Sequence, residues 1–194
     1  MKKILLLIGV LLVLIGGGFV AYNTFRHKPV HGTILLDYDK KKIDKHLSHL
    51  DQETKKIDTE GKWLEDEQVL ILPKENAQKL LKLQVLNKVT VNKDKYSFKP
   101  VTQLPEGSIL FSKEPKFTIK NDFGEKVVPK QTEYTVLGES SMFVKHILVT
   151  DDYQTFQNAH SIYLAAFKSK EDATKTLTNY KDIKINQLYN PTMN

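Results

Sequence analysis

Hydrophobic positions along the chain follow three periods. From Ile4 to Tyr22 no charged residue interrupts an apolar run of 19 residues. As a helix rising ~1.5 Å per residue, it spans roughly the ~30 Å hydrocarbon core of a bilayer. Its bilayer-facing residues would include Ile4, Leu5, Leu12, Val13, Ile15, Phe19 and Tyr22. It lacks the polar face of a soluble amphipathic helix. The rival reading is a secretory signal, with Gly16 and Gly18 as the small-x-small pair and cleavage before Phe19. Phe19 to Tyr22 would then prolong the apolar run past the cut. Residues 1–28 are therefore expected to be a membrane anchor or a signal peptide.

Beyond the linker Asn23 to Gly32, with its breakers Pro29 and Gly32, shorter patterns begin. Thr33 to Tyr38 reads as a strand. Ile43, Leu47, Leu50 and Ile57 form a helical stripe, with Asp39 as its cap and Gly61 beyond its end. Gln68 to Leu72 reads as a buried strand closed by Pro73, and Lys74 to Leu86 as a second helix with Ala77, Leu80, Leu81 and Leu83 inward. From Lys88 the period shortens to two. Val89 and Val91 face Tyr96 and Phe98 across an Asn92–Lys95 turn. Short strands follow through Val149, with Asn121 to Gly124 as a tight turn. The end reads β-α-β: a strand at Ser161 to Ser169, a third helix capped by Ser169 with Ala173, Leu177 and Tyr180 inward, and a strand at Ile183 to Tyr189.

The predicted fold is α+β. An N-terminal transmembrane helix precedes an extracytoplasmic domain of mainly antiparallel strands and three helices over 29–194, with a division near 100 left open. The three-residue N-terminal tail is that of a signal anchor and places the C-terminal domain outside the membrane. Secretion after cleavage is the alternative. The chain has no cysteine, which excludes disulfides, thiol catalysis and lipidation at an N-terminal cysteine.

Charge changes the picture little. Of the formal net charge of +6, four units come from Lys2, Lys3, Arg26 and Lys28, in a segment without acids. The remaining surface is mixed and nearly neutral. Arg26 is the only arginine, whereas bidentate grips on phosphate or guanine normally use arginine, so nucleic acid is not the expected partner.

Candidate chemistry is sparse. His46 and His49 stand three apart on the first expected helix beside Asp44 and Glu53, a spacing that puts them on one face and makes them the candidate metal pair. The sequence places no third histidine and contains no His-Glu-x-x-His. Gly138 to Met142 is not a Gly-x-Ser-x-Gly elbow, and no phosphate loop or dinucleotide fingerprint occurs. His146 and His160 lie in or before strands, where local packing or hydrogen bonding is expected of them. Trp63, flanked by Leu64 and Val69, is expected in the core, the membrane interface being its other reading. No catalytic residue and no cofactor is assigned.

Two short stretches carry local resemblances. Thr132 to Val149 resembles the latter half of a bacterial SH3-like cell-wall module, with Phe143 at the place of that family's aromatic. The resemblance implies wall binding, and a binding role would use exposed aromatics such as Tyr134 or Phe143 as contacts. His160 to Tyr180 is similar to one half of a sporulation-related repeat, through Phe167, Ser169, Glu171 and Ala173. Both point to the cell envelope, and the Lys-over-Arg bias resembles low-GC Gram-positive proteins. The expected function is that of a membrane-anchored, non-enzymatic envelope protein, touching lipid through its N-terminal helix and binding a protein or cell-wall partner at the outer face. The alternatives are an envelope hydrolase or metal-dependent enzyme using His46 and His49, and a structural subunit of a membrane complex.

Overall fold

The computed structural model describes residues 29–93 and 95–191. The expected membrane span, Ile4 to Tyr22, lies outside the described residues. Among the described residues no helix is long and apolar enough to cross a membrane.

In chain order the elements are β1 (Gly32–Asp37), α1 (Lys40–Ser48), β2 (Lys56–Leu64), β3 (Val69–Pro73), α2 (Lys74–Lys82), β4 (Leu86–Asn92), β5 (Lys95–Pro100), β6 (Ile109–Ser112), β7 (Ile119–Lys120), β8 (Lys126–Val127), β9 (Gln131–Glu133), β10 (Thr135–Leu137), β11 (His146–Thr150), β12 (His160–Lys168) and β13 (Ile185–Tyr189). The fold is thus mostly β, with two α-helices among the described residues, and the α+β expectation with three helices is corrected. The missing third helix is a pair of 3₁₀ turns, Ala173–Lys175 and Leu177–Tyr180. Asp172, not Ser169, caps the first by accepting from Thr174 N–H, and Thr176 Oγ1 bonds back to the Ala173 carbonyl at 3.1 Å. Threonines that bond locally and are stiff at χ1 compete with helical continuation.

The first helix is also shorter than its stripe. Asp39 caps it as expected, accepting from Lys41 N–H at 2.9 Å, but it ends at Ser48. Asp51 and Thr54 form a turn, and Ile57 lies in β2, a strand the sequence reading missed. Its signal was present: Ile57, Thr59, Gly61 and Trp63 alternate with charged residues, the period of a half-buried strand.

One eight-stranded sheet runs in the order β13-β1-β12-β2-β3-β11-β6-β9, and a small sheet runs β10-β4-β5. Strands from both sides of residue 100 share the large sheet. Its pairings are antiparallel except β3–β11 and β6–β9. One face buries Leu36, Trp63, Leu70, Phe111, Ile147 and Leu164 under α2 and the first residues of the small sheet. Trp63 is 2 % exposed, and its indole N–H reaches Glu65 Oε2 at 2.8 Å. The other face carries two apolar patches. Leu35, Ala165 and Phe167 lie under Ile43 and Leu47 of α1, and Val69, Ile71, Leu110 and Leu148 pack with Ile119 and Phe156. Between the patches runs the polar row Asp58, Glu60 and Lys62 of β2, of which Lys62 is buried with its ammonium 4.7 Å above the Tyr153 ring.

β2 pairs with β12 from Lys56 to Trp63 but with β3 only from Lys62 to Leu64. Pro73 and α2 carry the chain out of the sheet, leaving the first half of β2 without a strand on that side among the described residues. Gly61 sits at the parting, where a Cβ would lie 2.8 Å from the Ile71 carbonyl oxygen.

Candidate functional site

The turn after α1 and the end of β12 face each other across a cleft of about 500 Å³. Its floor is aromatic. Phe167 and Tyr180 meet edge to face at 6.0 Å, and His46 stands edge-on to Tyr180 at 5.1 Å from behind. Both floor rings are held by the apolar patch under α1, and half-buried Leu50 packs beside them. Burial raises the pKa of the Tyr180 hydroxyl, and a hydrogen bond with Thr176 opposes the shift.

The rim is charged. Lys170 and Glu53 bridge the two walls at 2.8 Å, and since both side chains stand in water, salt screens the pair. Deeper in, the Lys168 N–H donates to the Lys55 carbonyl at 3.0 Å, which sets two lysines side by side where β2 begins and β12 ends. Burial lowers the pKa of the Lys168 ammonium, and the neighbouring Lys55 charge lowers it further. The cleft therefore joins an apolar floor to a rim of mixed charge, in which Lys55 and Lys168 stand together.

This wall is laced to the beginning of the domain. Ser169 N–H donates to the His31 carbonyl and Ala173 N–H to the Val30 carbonyl, each at 2.7 Å, and Val30 N–H donates to Asp172 Oδ1 at 3.2 Å. The cleft thus lies beside the point where the domain continues into its N-terminal segment.

The residues singled out from sequence are scattered. His46 Nε2 lies 2.8 Å from Asp182 Oδ1, a bond that holds the Asp182 carboxyl below the usual carboxylate range. His49 closes α1 and lines the cleft. Among the described residues no three His, Asp or Glu side chains converge as metal ligands. Tyr134 joins β9 to β10, with its carbonyl accepting Val89 N–H at 2.8 Å, and Phe143 is exposed beside Met142; neither lines the cleft. Ser140 turns its own loop by accepting Met142 N–H. His146 is buried, with Nδ1 2.8 Å from Ser112 Oγ and its ring stacked on Phe117 at 3.7 Å. That serine oxygen also accepts Glu114 N–H at 2.8 Å, so the serine–histidine pair is a core contact. His160 is exposed, 5.8 Å from the Tyr38 ring.

Sequence reading passed over Lys55 and Lys168 as two of many lysines. A period-two strand at 56–64 would have brought them together, because its antiparallel partner is the expected strand ending at Ser169.

In fold the chain is similar to a candidate lipoprotein from Bacillus anthracis, solved at 1.5 Å. The two share 18% identity with a TM-score of 0.63, over 83% of this chain and 99% of that one. No curated protein matches. Neither local resemblance reappears in these comparisons. A family model described as an uncharacterised lipoprotein family matches residues 30–191, and to that family the chain belongs.

Proposed function

We propose that this membrane-associated envelope domain is a non-enzymatic binding protein whose partner is an anionic amphiphile of the membrane or wall, held at the outer membrane face. The supporting observation is the 500 Å³ cleft: aromatic floor, paired Lys55 and Lys168, and a position beside the chain's entry into the domain. A lipid-like tail would cover Phe167, Tyr180 and Leu50, and burial is worth about 25 cal/mol per Å² of apolar surface. An anionic end group would meet the Lys55 and Lys168 side chains where they line the cleft. Confinement to a membrane raises the local concentration of such a ligand, so modest affinity suffices.

The full chain in non-ionic detergent, titrated with dihexanoyl phosphatidylglycerol below its micelle concentration, is expected to show saturable amide shifts at His49–Lys55 and Phe167–Glu171. Lys55→Glu, a surface change, weakens binding about tenfold or more, because one charge contact near an apolar wall is worth ~1.4 kcal/mol or more. Equal affinity for dihexanoyl phosphatidylcholine, or shifts confined to other elements, would overturn the reading.

A further inference from the structure

The missing partner of β2 leaves a notch of about 290 Å³ at the middle of the large sheet, separate from the aromatic cleft and sharing none of its lining residues. Asp44 of α1, Asp58 and Glu60 of β2, and Glu75 of α2 converge on it. In a sheet, an unpaired row of backbone donors and acceptors is a template for another strand. The backbone here carries a direct sign of that need. The Glu60 carbonyl points out of the β2–β12 ladder and accepts Asn76 Nδ2 at 2.9 Å, a side chain standing where strand hydrogen bonds are absent. Groups on a strand alternate between its two neighbours, so the N–H and C=O of Asp58 point the same way, into the notch. Thr59, on the opposite face of the strand, also lines the notch, and its buried hydroxyl has no hydrogen-bond partner among the described residues.

The charge of the notch names the occupant. Asp44 is paired with Lys40 at 2.9 Å, whereas Asp58, Glu60 and Glu75 make no ion pair among the described residues. Asp58 and Glu60 are two apart and project to one face, so an added strand with cations at alternate positions meets both. Lys79 is turned onto Asn76 Oδ1 at 3.1 Å. We propose that the open edge of β2 accepts an extended peptide segment bearing lysine or arginine at alternate positions, by strand addition. Main-chain hydrogen bonds to Asp58 supply the affinity, and the carboxylates lining the notch supply the choice of a basic sequence.

The test uses the full chain and three synthetic hexapeptides: Lys-Val-Lys-Val-Lys-Val, its Glu-Val counterpart, and the lysine peptide N-methylated at alternate amides. The lysine peptide is expected to bind, to slow hydrogen exchange at the Asp58 and Glu60 amides, and to lose at least tenfold in affinity when N-methylated. The glutamate peptide does not bind. Asp58→Lys with Glu60→Lys, both at exposed side chains, lowers affinity for the lysine peptide at least tenfold while the thermal melt is unchanged. Equal binding of the N-methylated and parent peptides would show charge attraction without strand pairing and overturn the proposal, as would unchanged exchange at Asp58 and Glu60 in the saturated complex.

Discussion

His146 shows how one side chain ties stability to pH. It is 4 % exposed, stacked on Phe117 and bonded to Ser112. Burial lowers its pKa below the ordinary histidine value; the nearby Glu114 charge acts against burial, and Lys145 acts with it. The unfolded chain therefore takes up the proton first as pH falls through ~6.5, while the folded chain resists it. Stability contributed by the neutral ring is complete above that pH and declines below it, until the folded-state pKa is reached. His146→Asn keeps a hydrogen-bonding group for Ser112 and removes the titration. Thermal melts between pH 7.5 and 5 should show a steeper fall for the parent than for the variant, whatever the offset at pH 7.5. Parallel curves would mean that His146 is charged or absent from the balance.

At the level of elements, β1 explains why glycine opens the domain. All six of its positions are buried, because it lies between β12 and β13 and is covered on both faces. A Cβ at Gly32 would overlap the ring of Tyr189, which is fully buried and cannot swing away. Gly32→Ala should thus destabilise by about 1–3 kcal/mol, the usual cost of overpacking a closed core. A urea titration measures it; an unchanged midpoint would show that the ring has room to move. Gly32 looked like a linker breaker in the sequence, since a tight contact with a residue 157 positions later leaves no local trace. Legibility followed the same line elsewhere. The β4–β5 hairpin was legible because its period-two pattern and turn lie within one window. The helix at 40–48 was legible from its cap and stripe. The loss of helix at 173–180 was not, because Asp172 is drawn away to cap a 3₁₀ turn and to receive Val30 N–H from the far end of the domain. Of the candidate site, Tyr180 was visible as an inward residue and Phe167 as part of an expected strand, whereas the meeting of Lys55 with Lys168 depends on strand pairing across more than a hundred residues.

Over the whole molecule, closure is made by the ends of the chain. β13, the last strand, pairs with β1, the first, and Tyr189 enters the same core as Trp63 and Phe111. Gln187 Nε2 also donates to the Leu137 carbonyl at 2.6 Å, tying the small sheet to the large one. The segment leading to β13 places Tyr180 and Ile183 under α1, so the floor of the aromatic cleft depends on the same closure. A chain ending at Lys181 would lose Tyr189, Ile185 and the ladder to β1 together. Removing one buried aromatic side chain costs about 3–5 kcal/mol, and a domain of this size has about 5–15 kcal/mol in all. Loss of the strand's hydrogen bonds and of Ile185 adds to that, and the bared β1 edge invites pairing between chains. The truncated chain should therefore lack a cooperative melt by circular dichroism and be cut by protease throughout the β1–β12 region. If it instead melted cooperatively within about 5 °C of the full chain, β1 and β12 would form a stable nucleus alone, and β13 would be an ornament on a domain closed by other means.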